Sequence, residues 1–240
     1  PDGGVRKLGI PTVVDRVIQQ GIAQKLQNIW EPLFSDSSYG YRPRRSGQQA
    51  IQKVKEYAEE GYRYAVSVDL SKYFDTLNHE LLMNLLHRKI QDMRVLRIIK
   101  KYLKSGVMEN GVVSKTEEGS PQGGPLSPLL ANIYLNEFDW EMCGRGVKMV
   151  RYADDIVVFA KSKRAAERLM ESSRRYLEGK LKLKMNTEKS KVTSIFAVKE
   201  FKFLGFCIGR NGSGIYIRAH RKSLNKAKEK LKLLTKRNRG

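Results

Sequence analysis

The sequence predicts an α+β fold in which a small, mostly antiparallel sheet packs on helices. Three observations predict it. Long segments with apolar residues three and four apart are interspersed with short runs of strand-like alternation. Two stretches, "VMENGVVSK" and "KMVRYADDIVVFAKS", read strand–turn–strand, as neighbouring antiparallel strands do. No regular βαβ order appears, which a parallel sheet would require. With 240 residues, 40% of them hydrophobic, the chain can bury one large domain or two closely packed subdomains. No internal repeat is present.

In chain order, Val14, Ile18, Ile22, Leu26 and Ile29 predict a helix over 12–30 that Pro32 stops. "SDSSYGYRPRRS" is a loop by its Ser, Gly and Pro content. Ser46 and Gln49 form a capping box for the next helix, and Gly61 ends it. "YRYAVSVDL" (62–70) alternates as a strand with Tyr64, Val66 and Val68 on one face; Asp69 falls at its end on the other. Helices over 78–90 and 92–105 follow, capped by Asn78 and Asp92, with Gly106 as the second stop. Asn110-Gly111 marks a hairpin turn. A Gly/Pro-rich loop (117–128) feeds a helix through "LLANIYLNEFDWEM" that ends at Gly144. The YADD hairpin comes next, then a helix near 163–179 and a strand near 190–196. A hairpin turning at 211–214 and a basic helix from about 222 complete the order.

Charge narrows the choice of partners. Forty-six basic residues face 25 acidic ones, a net charge of +21, which suits nucleic acid or an anionic membrane surface. No apolar run of about 18 residues exists to span a bilayer, so no membrane partner is expected. Cys143 and Cys207 lie far apart with neither zinc nor disulfide spacing, and are read as half-buried thiols of a reducing compartment. His79, His87 and His220 form no ligand pattern; the first two belong to helix ends or faces. The opening "PDGGVRKLGIP" and the closing "TKRNRG" read as the edges of a fragment.

The chemistry concentrates in "VRYADDIVVFAKS". Asp154 and Asp155 repel each other between two apolar runs. A solvated turn is the ordinary explanation of Asp-Asp. Against it, the flanks Val150, Tyr152, Ile156, Val157, Val158 and Phe159 make a core hairpin, and the turn lacks an Asn-Gly pair. Two broken local rules at one place mark a functional site. With Asp154 at the turn tip and Asp155 opening the return strand, Asp69 at another strand end can complete a three-carboxylate edge. Hard oxygen ligands of this kind suit Mg²⁺, and two such ions about 4 Å apart clamp an in-line phosphoryl transfer.

"YADD" resembles the Tyr-x-Asp-Asp box of reverse transcriptases. "RKLGIPTVVDR", "FSDSSYGYRPRRS", "VSVDLSKYFDTLNH", "GSPQGGPLSPLLANIYLNEFD", "LKLKMNTEKSKV" and "FKFLGF" resemble that family's consecutive blocks, in order. The wording of "SDSSYGYRP" and "GSPQGGPLSPLLANIYL" is similar to the group II intron-encoded branch, the maturase reverse transcriptases. The resemblance implies the fingers and palm of a right-hand polymerase: 1–65 mainly fingers, 66–220 mainly palm with 106–118 returning toward the fingers, and 221–240 the start of a thumb. It implies RNA-directed DNA synthesis with two Mg²⁺ ions, for which Mn²⁺ can substitute. Asp69 and Asp154 resemble the ligands of both metals, Asp155 the auxiliary carboxylate, and the Leu70 carbonyl a backbone ligand. Phe74 is similar to the steric gate that excludes a ribose 2′-hydroxyl. Gln122 resembles the residue that touches the incoming nucleotide, with Gly123 and Gly124 allowing close approach. Arg6 and Lys7 lie in the block that meets the triphosphate. Lys189 or Lys191 resembles the block that assists pyrophosphate release; Asp75 is read as structural.

Arg42, Arg44 and Arg45 share one loop and suit backbone phosphates. Lys222 and Lys226 belong to a run of nine basic residues and one acid, Glu229, whose like charges a polyanion would neutralise. The implied partners are an RNA template, a DNA primer, deoxynucleoside triphosphates and group II intron RNA, with a homodimer left open. The implied setting is the bacterial cytoplasm or an organelle. A thumb-maturase domain is expected outside these residues, so the fragment alone is expected to polymerise poorly. The competing reading is an RNA-binding splicing cofactor without polymerase activity, which has no chemical need for the carboxylates and Gln122 together. A retron or diversity-generating reverse transcriptase fits the block wording less well.

Overall fold

The computed structural model describes residues 11–105, 107–109, 112–114 and 123–235. The elements are α1 (Val13–Trp30), α2 (Gly47–Glu59), β1 (Tyr64–Val68), α3 (His79–His87), α4 (Met93–Lys104), β2 (Val107–Glu109), β3 (Val112–Ser114), α5 (Ser127–Gly144), β4 (Met149–Tyr152), β5 (Asp155–Ala160), α6 (Lys163–Gly179), β6 (Lys191–Ser194), β7 (Phe206–Asn211), β8 (Gly214–Ala219) and α7 (Arg221–Leu234). Short 3₁₀ turns lie at Glu31–Leu33 and Tyr73–Asp75. Helix starts follow the caps: the Ser46–Gln49 box opens α2, Asn78 opens α3 and Asp92 opens α4. His220 caps α7 by accepting the Lys222 N–H on its Nδ1, a role its sequence position did not reveal.

The central sheet has the order β4-β5-β1-β6, and every neighbouring pair is antiparallel. It is a middle layer. Val66, Val68, Ile156 and Val158 pack with α3, α4, α5 and α6 on one face. Ala65, Val157 and Phe159 pack on the other with α2, Phe201, Phe203 and Ile208. Burial on both faces explains why "IVVFA" is a continuous apolar run, not an alternating one. Two further two-stranded sheets, β2–β3 and β7–β8, are not hydrogen-bonded to it.

Helix α5 is the axis of the larger core. It buries residues on all sides, as a helix enclosed by protein does. One stripe of it is polar: Asn132, Asn136 and Asp139, spaced four and three apart and all buried. That stripe anchors the 33–40 loop. Asn136 accepts the Ser35 N–H at 3.1 Å and donates to the Leu33 carbonyl, which also accepts from the Trp140 indole.

Three expectations are corrected. In α1 the expected Ile22 and Leu26 do face the core, together with Gln19 and Trp30, while Val14, Ile18 and Ile29 face solvent, so the buried stripe is only partly the expected one. β1 runs over 64–68 and β6 over 191–194, shorter than the alternating runs suggest. The thiols differ from each other: Cys143 is exposed and Cys207 buried.

Candidate active site

β1 ends at Val68, which lies opposite Ile156 of β5. Asp69 follows the last paired residue of β1 and Asp155 precedes Ile156 on β5, so continuing the register would bring the two toward each other, and both line one cavity. Strand alternation puts both aspartates on the face that carries Ser67 and Val157. Across the β4–β5 turn Tyr152 pairs with Asp155, so Ala153 and Asp154 are the two central turn residues. Ala153 has φ 57°. Tight hairpins ask for this left-handed conformation and usually take glycine or asparagine for it. An alanine there must be held by its surroundings.

Two groups hold it. A Cβ on Gly40 would overlap the Ala153 nitrogen and come within 2.9 Å of the Tyr152 carbonyl carbon, so the turn lies directly on a bare backbone position of the "SSYGYRP" loop. Beneath it sits Arg151, paired with Asp139 at 2.6 Å with both side chains fully buried. Its Nε and Nη2 bind the Asp139 carboxylate, Nη1 donates to Asn132 Oδ1 at 2.7 Å and to the Ala153 carbonyl at 3.0 Å, and Nη2 also donates to Ser38 Oγ. All five donors of the guanidinium are thereby used. Asn132 in turn donates to the Gly40 carbonyl at 2.7 Å.

The 186–190 segment grips the backbone of Asp69. Ser190 Oγ accepts the Asp69 N–H at 3.0 Å, and the Asn186 N–H donates to the Asp69 carbonyl at 2.8 Å. With Ser71 N–H on the Lys184 carbonyl, these bonds flank a bridge between Leu70 and Met185. In such a bridge the central residue's own N–H and C=O point away from the partner strand, which directs the Leu70 carbonyl to the β5 side. A cavity of about 260 Å³ opens here, lined among others by Asp69, Asp155, Lys189, Lys191, Lys202 and Lys222. Lys191 Nζ donates to the Glu200 carbonyl at 3.0 Å, whereas Lys189 binds Asn186 only through its backbone N–H among the bonds resolved.

Phe74 is half-buried in the 3₁₀ turn after Asp69 and meets Tyr73 edge-on at 5.1 Å between ring centres. Tyr73 is buried, and burial pushes its phenol well above its ordinary pKa. It stays protonated and donates to the Ala131 carbonyl at 2.7 Å, giving Phe74 a fixed backing. Arg6, Lys7 and Gln122 lie outside the described residues. Gly123 has φ 117°, and a Cβ on Gly124 would overlap Gln19 Oε1, so the bare face of Gly124 is taken by α1.

The three loop arginines part company. Arg42, expected to contact phosphate, turns inward: its side chain is 4% exposed, pairs with Glu31 at 2.8 Å and donates to the Ser35 and Ser38 carbonyls. With its donors committed to closing the 31–42 loop, it is a structural residue. Arg45 stacks over Tyr39 and pairs with the exposed Asp36. Arg44 is exposed. Arg42→Ala is therefore expected to destabilise the fold by about 2–3 kcal/mol, and Arg44→Ala to leave stability within about 0.5 kcal/mol. Thermal unfolding of the two variants checks this. Lys222 and Lys226 lie on α7, of whose described residues none is buried.

Among the described residues no three His, Cys, Asp or Glu side chains are gathered closely enough to form a metal cage by themselves. The donor set nevertheless fits Mg²⁺, which binds through one or two carboxylates and completes its shell with water and substrate phosphates. Asp69 beside Asp155, Asp154 at the adjoining tip and a carbonyl on that side are hard oxygen donors of the right kind.

The profile of the reverse transcriptase (RNA-dependent DNA polymerase) family matches residues 1–208. Protein YkfC of Escherichia coli is 36% identical over 88% of this chain and 65% of its own length. The group II intron-encoded protein LtrA of Lactococcus lactis is 31% identical over 88% of this chain and 45% of its own. The chain thus spans between about half and two thirds of these relatives. Among solved structures, apo telomerase from Candida tropicalis, truncated from its C-terminal domain, superposes with a TM-score of 0.63 at 13% identity, covering 85% of this chain and 45% of that one. That likeness concerns the fold, an α+β fingers-palm architecture. Polymerases of this kind use divalent metal ions. No described helix is long and apolar enough to cross a membrane. With its blocks matched in order and its carboxylates set on the sheet edge, this chain belongs to the reverse transcriptase (RNA-dependent DNA polymerase) family, on the branch of group II intron-encoded proteins.

Proposed function

We propose that the protein of which this chain forms part is an RNA-directed DNA polymerase of a group II intron retroelement. It would copy RNA into complementary DNA and, at full length, assist splicing and mobility of its intron. The observation that supports the proposal is that Asp69, next after β1, and Asp155, first on β5 beside the Asp154 turn, line one cavity at the end of the β1–β5 ladder. A splicing cofactor without chemistry gains nothing from opposing carboxylates there, whose mutual repulsion is a cost.

Asp69 and Asp154 would be the principal metal ligands, Asp155 the auxiliary carboxylate, and Leu70 a backbone ligand. Two Mg²⁺ ions, when bound, would supply activation of the primer 3′-hydroxyl and neutralisation of the leaving pyrophosphate. The chain's own residues orient the reactants. Phe74, backed by Tyr73, would lie under the sugar and reject a 2′-hydroxyl. Arg6, Lys7 and Lys189 would bind the triphosphate, and Gln122 the nucleotide. Lys189 is preferred over Lys191 because the Glu200 carbonyl already engages Lys191 Nζ. Arg44 and Arg45, with Lys222 and Lys226, would follow the template and primer backbones, and their binding would weaken with salt. The division into fingers (1–65), palm (66–220) and the approach to a thumb (221–240) belongs to the same proposal.

The deciding experiment is primer extension on an RNA template with Mg²⁺, using full-length protein and its Asp154→Ala variant. Extension lost in the variant supports the assignment; equal extension overturns it. In the same assay Phe74→Ala is expected to raise ribonucleotide relative to deoxyribonucleotide incorporation by roughly tenfold or more, since a site that excludes by shape loses its discrimination with the ring.

A further inference from the structure

We infer that Arg151 is a positioning residue for the reaction: its buried guanidinium sets the left-handed Ala153 turn, and through it the position of Asp154. The inference rests on the polymerase reading of the site. It goes beyond that reading by assigning a role to five residues that touch neither nucleotide nor metal.

The argument starts from an anomaly. β4 places Arg151 on the same face as Met149, into the larger core. A charge there is costly unless it is paired and fully hydrogen-bonded. Asp139, on the buried polar stripe of α5, supplies the counter-charge. That pair alone would leave donors over. The remaining ones reach Asn132, Ser38 and the Ala153 carbonyl. One planar group therefore ties a helix, the 38–40 loop and the turn into a single body. Asn132 closes the circuit through the Gly40 carbonyl, and Gly40 is the residue on which the turn rests. Of all these bonds, only the 3.0 Å contact to Ala153 acts on the YADD turn itself. A planar fork with five fixed donors can hold it while keeping Asp139; a lysine ammonium cannot. The core could have been filled more simply by two apolar side chains, so the network's distinctive product is a fixed position for Asp154.

Arg151→Lys and the double substitution Arg151→Met/Asp139→Leu test this in the full-length protein. The first keeps the buried charge pair and the second replaces it with apolar volume, so at least one fold is expected to survive. In the folded variant, hydrogen–deuterium exchange at 152–155 should accelerate at least tenfold while the rest of the sheet stays protected. The incorporation rate at saturating nucleotide should fall at least tenfold, the half-saturating Mg²⁺ concentration should rise, and template-primer affinity should hold within about twofold. A folded variant with wild-type exchange at the turn and a wild-type rate overturns the inference. So does a loss of rate that only tracks the unfolded fraction. If wild-type protein fails to extend primers, the polymerase reading fails, and the exchange measurement still decides whether Arg151 fixes the turn.

Discussion

Gly40→Ala is expected to lower the nucleotide incorporation rate about 100-fold while leaving most of the protein folded. The new methyl would occupy the space of the Ala153 amide and lie 2.9 Å from the Tyr152 carbonyl carbon, both backbone atoms that cannot rotate away. Either the 38–40 loop or the YADD turn must shift. The loop is held by the Tyr39 N–H on the Arg151 carbonyl at 2.8 Å and by Asn132 on Gly40. The turn, already strained at Ala153, is the softer partner. A displacement near 1 Å at a reacting centre costs about 10²-fold, while overpacking at one site costs about 1–3 kcal/mol of stability. Single-turnover incorporation beside a chemical denaturation curve separates the two effects. A wild-type rate would show that the turn does not depend on this contact.

Asp139→Ala is expected to destabilise the fold by about 3–5 kcal/mol. Arg151 would stay buried with its charge unpaired, because Asn132, Ser38 and the Ala153 carbonyl are neutral acceptors. Adding Arg151→Met to Asp139→Leu should recover most of that loss, since an apolar pair carries no desolvation penalty. Urea unfolding midpoints measure both. Equal stability of Asp139→Ala and wild type would mean that the pair is not buried in solution.

Much of this was legible in the sequence because local chemistry determines it. The caps Ser46, Asn78 and Asp92 mark helix starts at the observed residues. The YADD hairpin, with Asp154 at the tip and Asp155 opening the return strand, follows from two apolar runs with a charged interruption. What stayed hidden is what depends on tertiary direction. Three arginines in one loop look alike in sequence, yet Arg42 turns inward because Glu31 and two carbonyls wait there. Likewise the exposed side of α1 at Val14 and Ile18 follows from what packs around it, not from its period. The Arg151–Asp139 pair did leave a signal. An arginine one strand-step pair from Met149 and an aspartate within the mostly apolar run of a buried helix are each costly alone, and such charges are expected to be paired. Conversely, the order β4-β5-β1-β6 joins strands far apart in sequence; the position of Asp69 at a strand end allowed a three-carboxylate edge, but nothing local fixes which strands are neighbours.

The central claim is that Asp69, Asp154 and Asp155 act together on a metal-dependent nucleotidyl transfer. The most direct measurement is single-nucleotide addition to a DNA primer on an RNA template by the full-length protein, across a Mg²⁺ titration, for wild type and for Asp69→Asn, Asp154→Asn and Asp155→Asn. These substitutions keep side-chain volume and remove one charge each. The account predicts addition by the wild type that vanishes without divalent ion, and losses of at least about 10³-fold for Asp69→Asn and Asp154→Asn, the scale of removing a group that stabilises transition-state charge. A smaller loss is predicted for Asp155→Asn. Addition at the wild-type rate by either of the first two variants would contradict it.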